Sequence, residues 1–164
     1  METQATVSVA NYFIGKAQND GVRVTPMKLL KLVYIAHGWA LGLYGIPLIG
    51  EEVQAWKYGP VVPSVYDDFR HYGRGAIERQ KAVWTEEGEL AVPSVTDHDT
   101  QQLLDSVWDA YKHLDGFQLS DITHEPNTPW DIVWNKQGGC NSRGAVIPPA
   151  TIQEHYQRLA DGRD

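Results

Sequence analysis

Apolar residues recur at helical spacing over most of the chain. Between residues 7 and 19 the period of three to four predicts a first helix, which ends at Asp20-Gly21. A second helix is predicted from Thr25-Pro26 to Gly45, because a threonine hydroxyl can cap a first turn and proline fits the first helical position. Its long apolar stripe predicts a central place in the core.

The middle of the chain mixes extended segments with a helix. Residues 51–57 predict a short strand, and residues 58–63 predict a shaped turn because glycine and proline disfavour a helix there. Pro63 is expected to open a third helix that closes at Gly73. Residues 83–92 predict a small hairpin.

The second half of the chain predicts further helices. The capping-box pattern at residues 96–99 starts a fourth, short helices follow at residues 117–123 and from Thr128-Pro129, and a last one starts near Pro149. Residues 136–145 predict a polar, glycine-rich surface loop. The predicted fold class is mainly α, a compact bundle of about six or seven helices with a small β-hairpin or short extended strands.

Length and charge narrow the class of protein. At 164 residues, one domain spanning 1–164 is expected, with its core at about residues 7–160. The formal net charge of -7 repels phosphate backbones, so no nucleic-acid partner is expected. Lys28 and Lys31 are the nearest approach to a basic patch, and we interpret them as a solvated helix face.

The compartment is predicted to be cytoplasmic. Cys140 is the only cysteine, which excludes an internal disulfide, and the first residues lack the basic and apolar blocks of a signal peptide. The longest apolar stretch, residues 29–48, contains Lys31, His37 and Pro47 and is predicted to be a buried helix rather than a membrane span.

Metal and cofactor sites are not expected. Asp67 with His71 and Asp109 with His113 each lie four residues apart on a predicted helix, so each pair shares a face. Zinc requires about four ligands, and no third protein ligand lies near either pair. Two solvated pairs are the favoured interpretation.

Catalysis has few candidate residues. His37, on the apolar stripe of the second helix, is either an acid or base in a pocket or a core histidine bonded to a backbone group. Cys140 with His124 lacks the local signatures of thiol hydrolases. An enzyme is therefore not expected, although a pocket holding His37 and His124 stays an alternative.

Two turns are unusually rich in aromatic residues and proline: residues 56–63 and residues 124–130. Rigid aromatic side chains make good binding anchors because little side-chain entropy is lost on binding. The alternative is that the two turns only pack against each other. The predicted partner-binding residues are Trp56, Lys57, Tyr58, Gly59, Pro60, Val61, Tyr66 and Trp130.

Four segments of the chain, which include most of these two turns, resemble a known family. Residues 28–38, 52–66 and 119–124, together with Pro129-Trp130, resemble the Panacea antitoxin domain, which includes SocA-type antitoxins and phage-associated proteins. The resemblance spans about residues 7–160. It implies a mostly helical domain that neutralises a protein toxin from a neighbouring gene by direct contact.

The resemblance leaves the mode of action open. In the SocA-type branch the antitoxin also delivers its toxin to a ClpXP-type protease, and the family offers no catalytic residues to transfer. One face of the second helix joins residues 56–66 as the expected partner surface. The alternatives are an orphan phage or prophage protein that blocks a host protein, and an enzyme using the two histidines.

Overall fold

A computed structural model describes residues 1–162, and within them seven α-helices and three shorter helical turns together hold more than half of the residues. Two of the shorter turns are 3-10 turns, at Arg70–Tyr72 and Gly139–Asn141, and one is a π-helical turn at Ile132–Lys136. The mainly α class is therefore confirmed. The helices are α1 (Thr6–Asp20), α2 (Pro26–Tyr44), α3 (Pro63–Phe69), α4 (His98–Tyr111), α5 (Gly116–His124), α6 (Pro129–Asp131) and α7 (Pro149–Ala160).

The helix starts follow local capping chemistry. At the start of α2 the Thr25 side chain accepts a hydrogen bond from the Lys28 N–H, and Pro26 occupies the first turn. At α4 the capping side chain is Asp97, which accepts from the Thr100 N–H, so the cap lies one residue after the start of the predicted pattern.

The strands form two small antiparallel sheets. In the first sheet β1 (Val53–Trp56) lies between β2 (Gly59–Val61) and β5 (Ala145–Ile147). In the second, β3 (Val83–Trp84) pairs with β4 (Leu90–Ala91), as the predicted hairpin requires. The β5 strand begins at the last residue of the segment predicted to be a loop.

The core is built around α2. Residues 28–38 of this helix are all buried, which agrees with its predicted central place. This middle part of α2 therefore offers no exposed face to a partner, contrary to the expectation for that stretch. Close contact with α7 depends on Gly42, where an added Cβ would lie 2.6 Å from the Tyr156 Cβ. The Tyr156 ring also meets Trp39 edge-on at 5.1 Å.

Lys28 and Lys31 are buried, with 4% and 2% of their surfaces exposed, so the solvated-face interpretation was wrong. The physical reason is that each ammonium reaches a backbone carbonyl, Lys28 that of Lys112 and Lys31 that of Pro60. Among residues 1–162, no helix is both long and apolar enough to cross a membrane.

Candidate protein-binding site

The turn that joins β1 to β2, residues 56–60, is fixed from three sides; we call it the Tyr58 turn. Side chains from three segments donate to its backbone carbonyls: Trp130 Nε1 to Trp56 O at 2.6 Å, Ser120 Oγ to Tyr58 O at 2.9 Å, and Lys31 Nζ to Pro60 O at 3.0 Å. Satisfied carbonyls stabilise one conformation of a turn. The Tyr58 turn is therefore preorganised by α2, α5 and α6.

His124 completes these contacts. Its Nδ1 lies 2.6 Å from the Ser120 carbonyl oxygen, and its Nε2 lies 3.4 Å from the Lys57 carbonyl oxygen. The ring also meets Trp130 edge-on, with centroids 4.2 Å apart. His124 thus fills the space between α5, the Tyr58 turn and α6.

Gly59 allows Lys31 to approach the turn. Its φ of 120° is one that other residues rarely adopt, and an added Cβ would lie 2.7 Å from Lys31 Nζ. A side chain at this position would displace the lysine from the Pro60 carbonyl. The glycine and the buried lysine therefore act as one structural unit.

Lys31 is an unusual group to find in a core. Burial lowers its pKa from the ordinary value to about 7, because desolvation penalises the ammonium form. No carboxylate in the described part of the chain forms an ion pair with it. The sequence signal for this role was a lysine inside a helix that is apolar on all sides, which requires a buried acceptor.

The structure divides the predicted partner-binding residues by burial. Tyr58 is 63% exposed and Lys57 is also exposed, with its Nζ 5.5 Å from the centre of the Tyr58 ring. Trp56 and Tyr66 are half-buried and meet edge-on at 5.0 Å. The buried members, which shape the turn from beneath, are Gly59, Pro60, Val61 and Trp130.

The two predicted turns do pack against each other, through the bond from Trp130 to the Trp56 carbonyl. This packing leaves the Tyr58 side chain exposed at the tip. Trp130 thus packs against the turn while Tyr58 of the same turn stays exposed, so the two interpretations of the sequence do not exclude each other.

His37 lies elsewhere. It is buried on α2, and its Nδ1 accepts a hydrogen bond from the Ile49 N–H at 3.4 Å. Burial lowers its pKa to about 4, so the ring is neutral at physiological pH. These contacts match the core-histidine interpretation, and His37 is not part of the groove that His124 lines.

A groove of about 1160 Å³ runs beside the Tyr58 turn; we call it the Tyr58 groove. Tyr58, Ser120 and His124 line it, and so does Phe117, which is 68% exposed. Sequence reasoning placed Phe117 on a helix but missed its exposed position in the groove. The available signal was its spacing of three from Ser120 and seven from His124, which places all three on one helix face.

The family model for the "Antitoxin SocA-like, Panacea domain" matches residues 29–131. The chain belongs to this family. The SocA-like match contains Lys31, the whole Tyr58 turn, Ser120, His124 and Trp130, so every residue that fixes the turn lies inside it. Family membership supports an antitoxin role in a toxin–antitoxin system.

A curated relative agrees with the family match. The chain is 30% identical over 152 residues to antitoxin SocA of Caulobacter vibrioides (strain NA1000 / CB15N), covering 92% of this chain and 81% of that protein. No solved structure matches the chain. The similarity to this relative therefore covers more of the chain than residues 29–131, which the family model matches.

Proposed function

We propose that this SocA-like chain neutralises a protein toxin encoded by a neighbouring gene, and that it does so by binding the toxin directly through the Tyr58 turn. The observation that carries the proposal is an aromatic side chain, 63% exposed, on a turn whose carbonyls are bonded to three surrounding segments. A preorganised aromatic loses little conformational entropy on binding, which favours affinity.

The test is co-expression of the chain with the product of the neighbouring gene, read by growth rescue and by the affinity of the purified pair. Tyr58→Ala should weaken binding by about tenfold to a hundredfold, the range of an anchor residue. The matched control is Tyr44→Ala, because Tyr44 is 56% exposed at the end of α2 and should leave affinity unchanged.

The outcomes separate the rival functions. Equal loss in both tyrosine variants, or none in either, would reject the Tyr58 turn as the binding surface. A neighbouring product that neither inhibits growth nor binds the wild-type chain would reject direct neutralisation and favour an orphan interaction protein.

A proteolytic adaptor role is the second part of the proposal, and it rests on similarity to the relative's family. It predicts that the toxin's half-life shortens when the chain is co-expressed, and that this effect vanishes in cells without the ClpXP-type protease. Growth rescue that is unchanged in the protease-deficient cells would show that binding alone neutralises the toxin.

A further inference from the structure

The Tyr58 groove is larger than a typical small-molecule pocket. Its volume of about 1160 Å³ exceeds the roughly 300–1000 Å³ typical of small-molecule pockets. Its walls come from the start of α2, residues 73–74, the connection from α4 to α5, and α5 itself. This shape suits a segment of polypeptide laid along the surface.

Two aromatic side chains offer contact area in the groove. Phe117 on α5 and Tyr58 on the turn are both more than half exposed, and Met27 and Leu114 add apolar surface between the helices. Large apolar side chains exposed together are typical of a protein-interaction site. An apolar side chain of a partner would bury both aromatic rings.

The basic side chains of the groove differ in whether they form ion pairs. Lys112 lies 3.7 Å from an Asp20 oxygen and 3.6 Å from an Asp109 oxygen. By contrast Arg23 and Arg74 are exposed, and neither guanidinium has an ion-pair partner within residues 1–162. Arg23 donates to the Arg74 carbonyl at 2.9 Å, which keeps the two residues adjacent.

The acidic residues of the groove belong to α5 and its N-terminal cap. Asp115 caps α5 by accepting from the Gln118 N–H at 2.8 Å, and Asp121 follows on the same helix. The chain as a whole carries a formal net charge of -7, so a pair of unpaired arginines differs from its surroundings. Such a pair attracts carboxylates and sets the orientation of a bound segment.

We infer that the Tyr58 groove receives a toxin segment in which acidic side chains lie next to an apolar anchor. The carboxylates bind Arg23 and Arg74, and the anchor packs between Phe117 and Tyr58. This inference rests on the proposed function and adds to it the chemical class of the segment that is bound.

The first test measures the affinity of the purified chain for the neighbouring gene product at low and at high salt. The double variant Arg23→Glu with Arg74→Glu should bind at least about tenfold more weakly at low salt, and the loss should shrink at high salt because ions screen exposed charges. The matched control replaces Arg79 and Arg143, two exposed arginines outside the groove, with glutamate. It should change affinity less than about threefold.

The second test identifies the bound segment. A photo-cross-linking amino acid in place of Phe117 should attach, in the complex, to a toxin peptide that contains carboxylates beside an apolar residue. The same substitution at Trp84, which is 71% exposed on the β3–β4 hairpin, should give little cross-linking.

The outcomes distinguish the two proposals. Suppose that the wild-type chain binds and that the groove double variant binds as tightly as the control double variant. This result would overturn the groove assignment and leave direct neutralisation standing. A cross-linked toxin segment with basic rather than acidic side chains would do the same. No binding by the wild-type chain would overturn both.

Discussion

Lys31 shows how a single residue joins the core to the candidate binding surface. Its ammonium is buried on α2 yet donates to the Pro60 carbonyl, two residues from Tyr58 at the exposed tip of the turn. An ionised group in an apolar environment destabilises the folded state unless it is paired or loses its charge. The lowered pKa of Lys31, about 7, is the measure of that penalty.

The pKa of Lys31 predicts a specific pH dependence of stability. An unfolded lysine has a pKa of about 10.4, so between pH 7 and about 10 the unfolded chain binds more protons than the folded one. The contribution of Lys31 to the free energy of unfolding therefore rises with pH across this window, by up to about 1.4 kcal/mol per pH unit. Below pH 7 both states are protonated and the full penalty remains.

Lys31→Met should remove this slope. Urea unfolding at about pH 7 and about pH 9.5 should show the wild-type chain gaining stability relative to the Met variant as pH rises. Losing the bond to the Pro60 carbonyl lowers stability at every pH without altering the slope. Lys57→Met, at an exposed lysine, is the control, and parallel pH curves for wild type and Lys31→Met would contradict the prediction.

At the scale of elements, the contact between α2 and α7 depends on glycine. A Cβ at Gly42 would lie 2.6 Å from the Tyr156 Cβ and 2.8 Å from its carbonyl carbon, so the helices must separate to admit it. Alanine gains about 1 kcal/mol of helix propensity over glycine, but overpacking against backbone costs about 1–3 kcal/mol. The close contact with Tyr156, rather than the helix propensity of alanine, should therefore decide whether Gly42→Ala raises or lowers the free energy of unfolding.

We therefore expect Gly42→Ala to lower the free energy of unfolding by about 1–2 kcal/mol, measured by urea denaturation. Gly50→Ala is a suitable control, because an added Cβ there meets nothing closer than Thr3 Cγ2 at 3.8 Å. A rise in stability for Gly42→Ala would mean that α7 adjusts without strain.

The elements also show what the sequence could predict. The first residue of a helix could be predicted where a strong capping signal precedes it, as Thr25-Pro26 does for α2, because capping is a local interaction. The β5 strand was missed because its three residues pair with β1, about 90 residues earlier, and no local pattern announces such a pairing.

The candidate site was predictable only in part, for the same reason. The density of aromatic residues and proline pointed to the turn at residues 56–63. The division into an exposed Tyr58 and a buried Trp130 depends on donors from α2, α5 and α6, which are distant in sequence. Tertiary contacts, not composition, decide which side chain stays exposed.

At the scale of the whole molecule, the family segment is smaller than the cooperative unit that the packing indicates. Residues 29–131 contain the Tyr58 turn and the side chains that fix it. The core also draws on α1, whose Phe13 meets the Trp108 ring at 6.5 Å, and on α7, whose Tyr156 packs against α2. Both helices lie entirely outside residues 29–131, so a fragment with these residues alone would expose the apolar surface of α2 and α4 that the two helices cover.

We therefore predict that a fragment of residues 29–131 will not fold cooperatively, whereas a fragment of residues 5–162 will. The reason is that buried apolar surface supplies most of the stabilisation, and the shorter fragment loses the surface that α1 and α7 cover. Far-ultraviolet circular dichroism during urea denaturation should give a sigmoidal transition for the longer fragment and a gradual one for the shorter. A sharp transition for residues 29–131, with binding to the neighbouring gene product retained, would instead show that the family segment is a sufficient folding and binding unit, and that α1 and α7 only add stability.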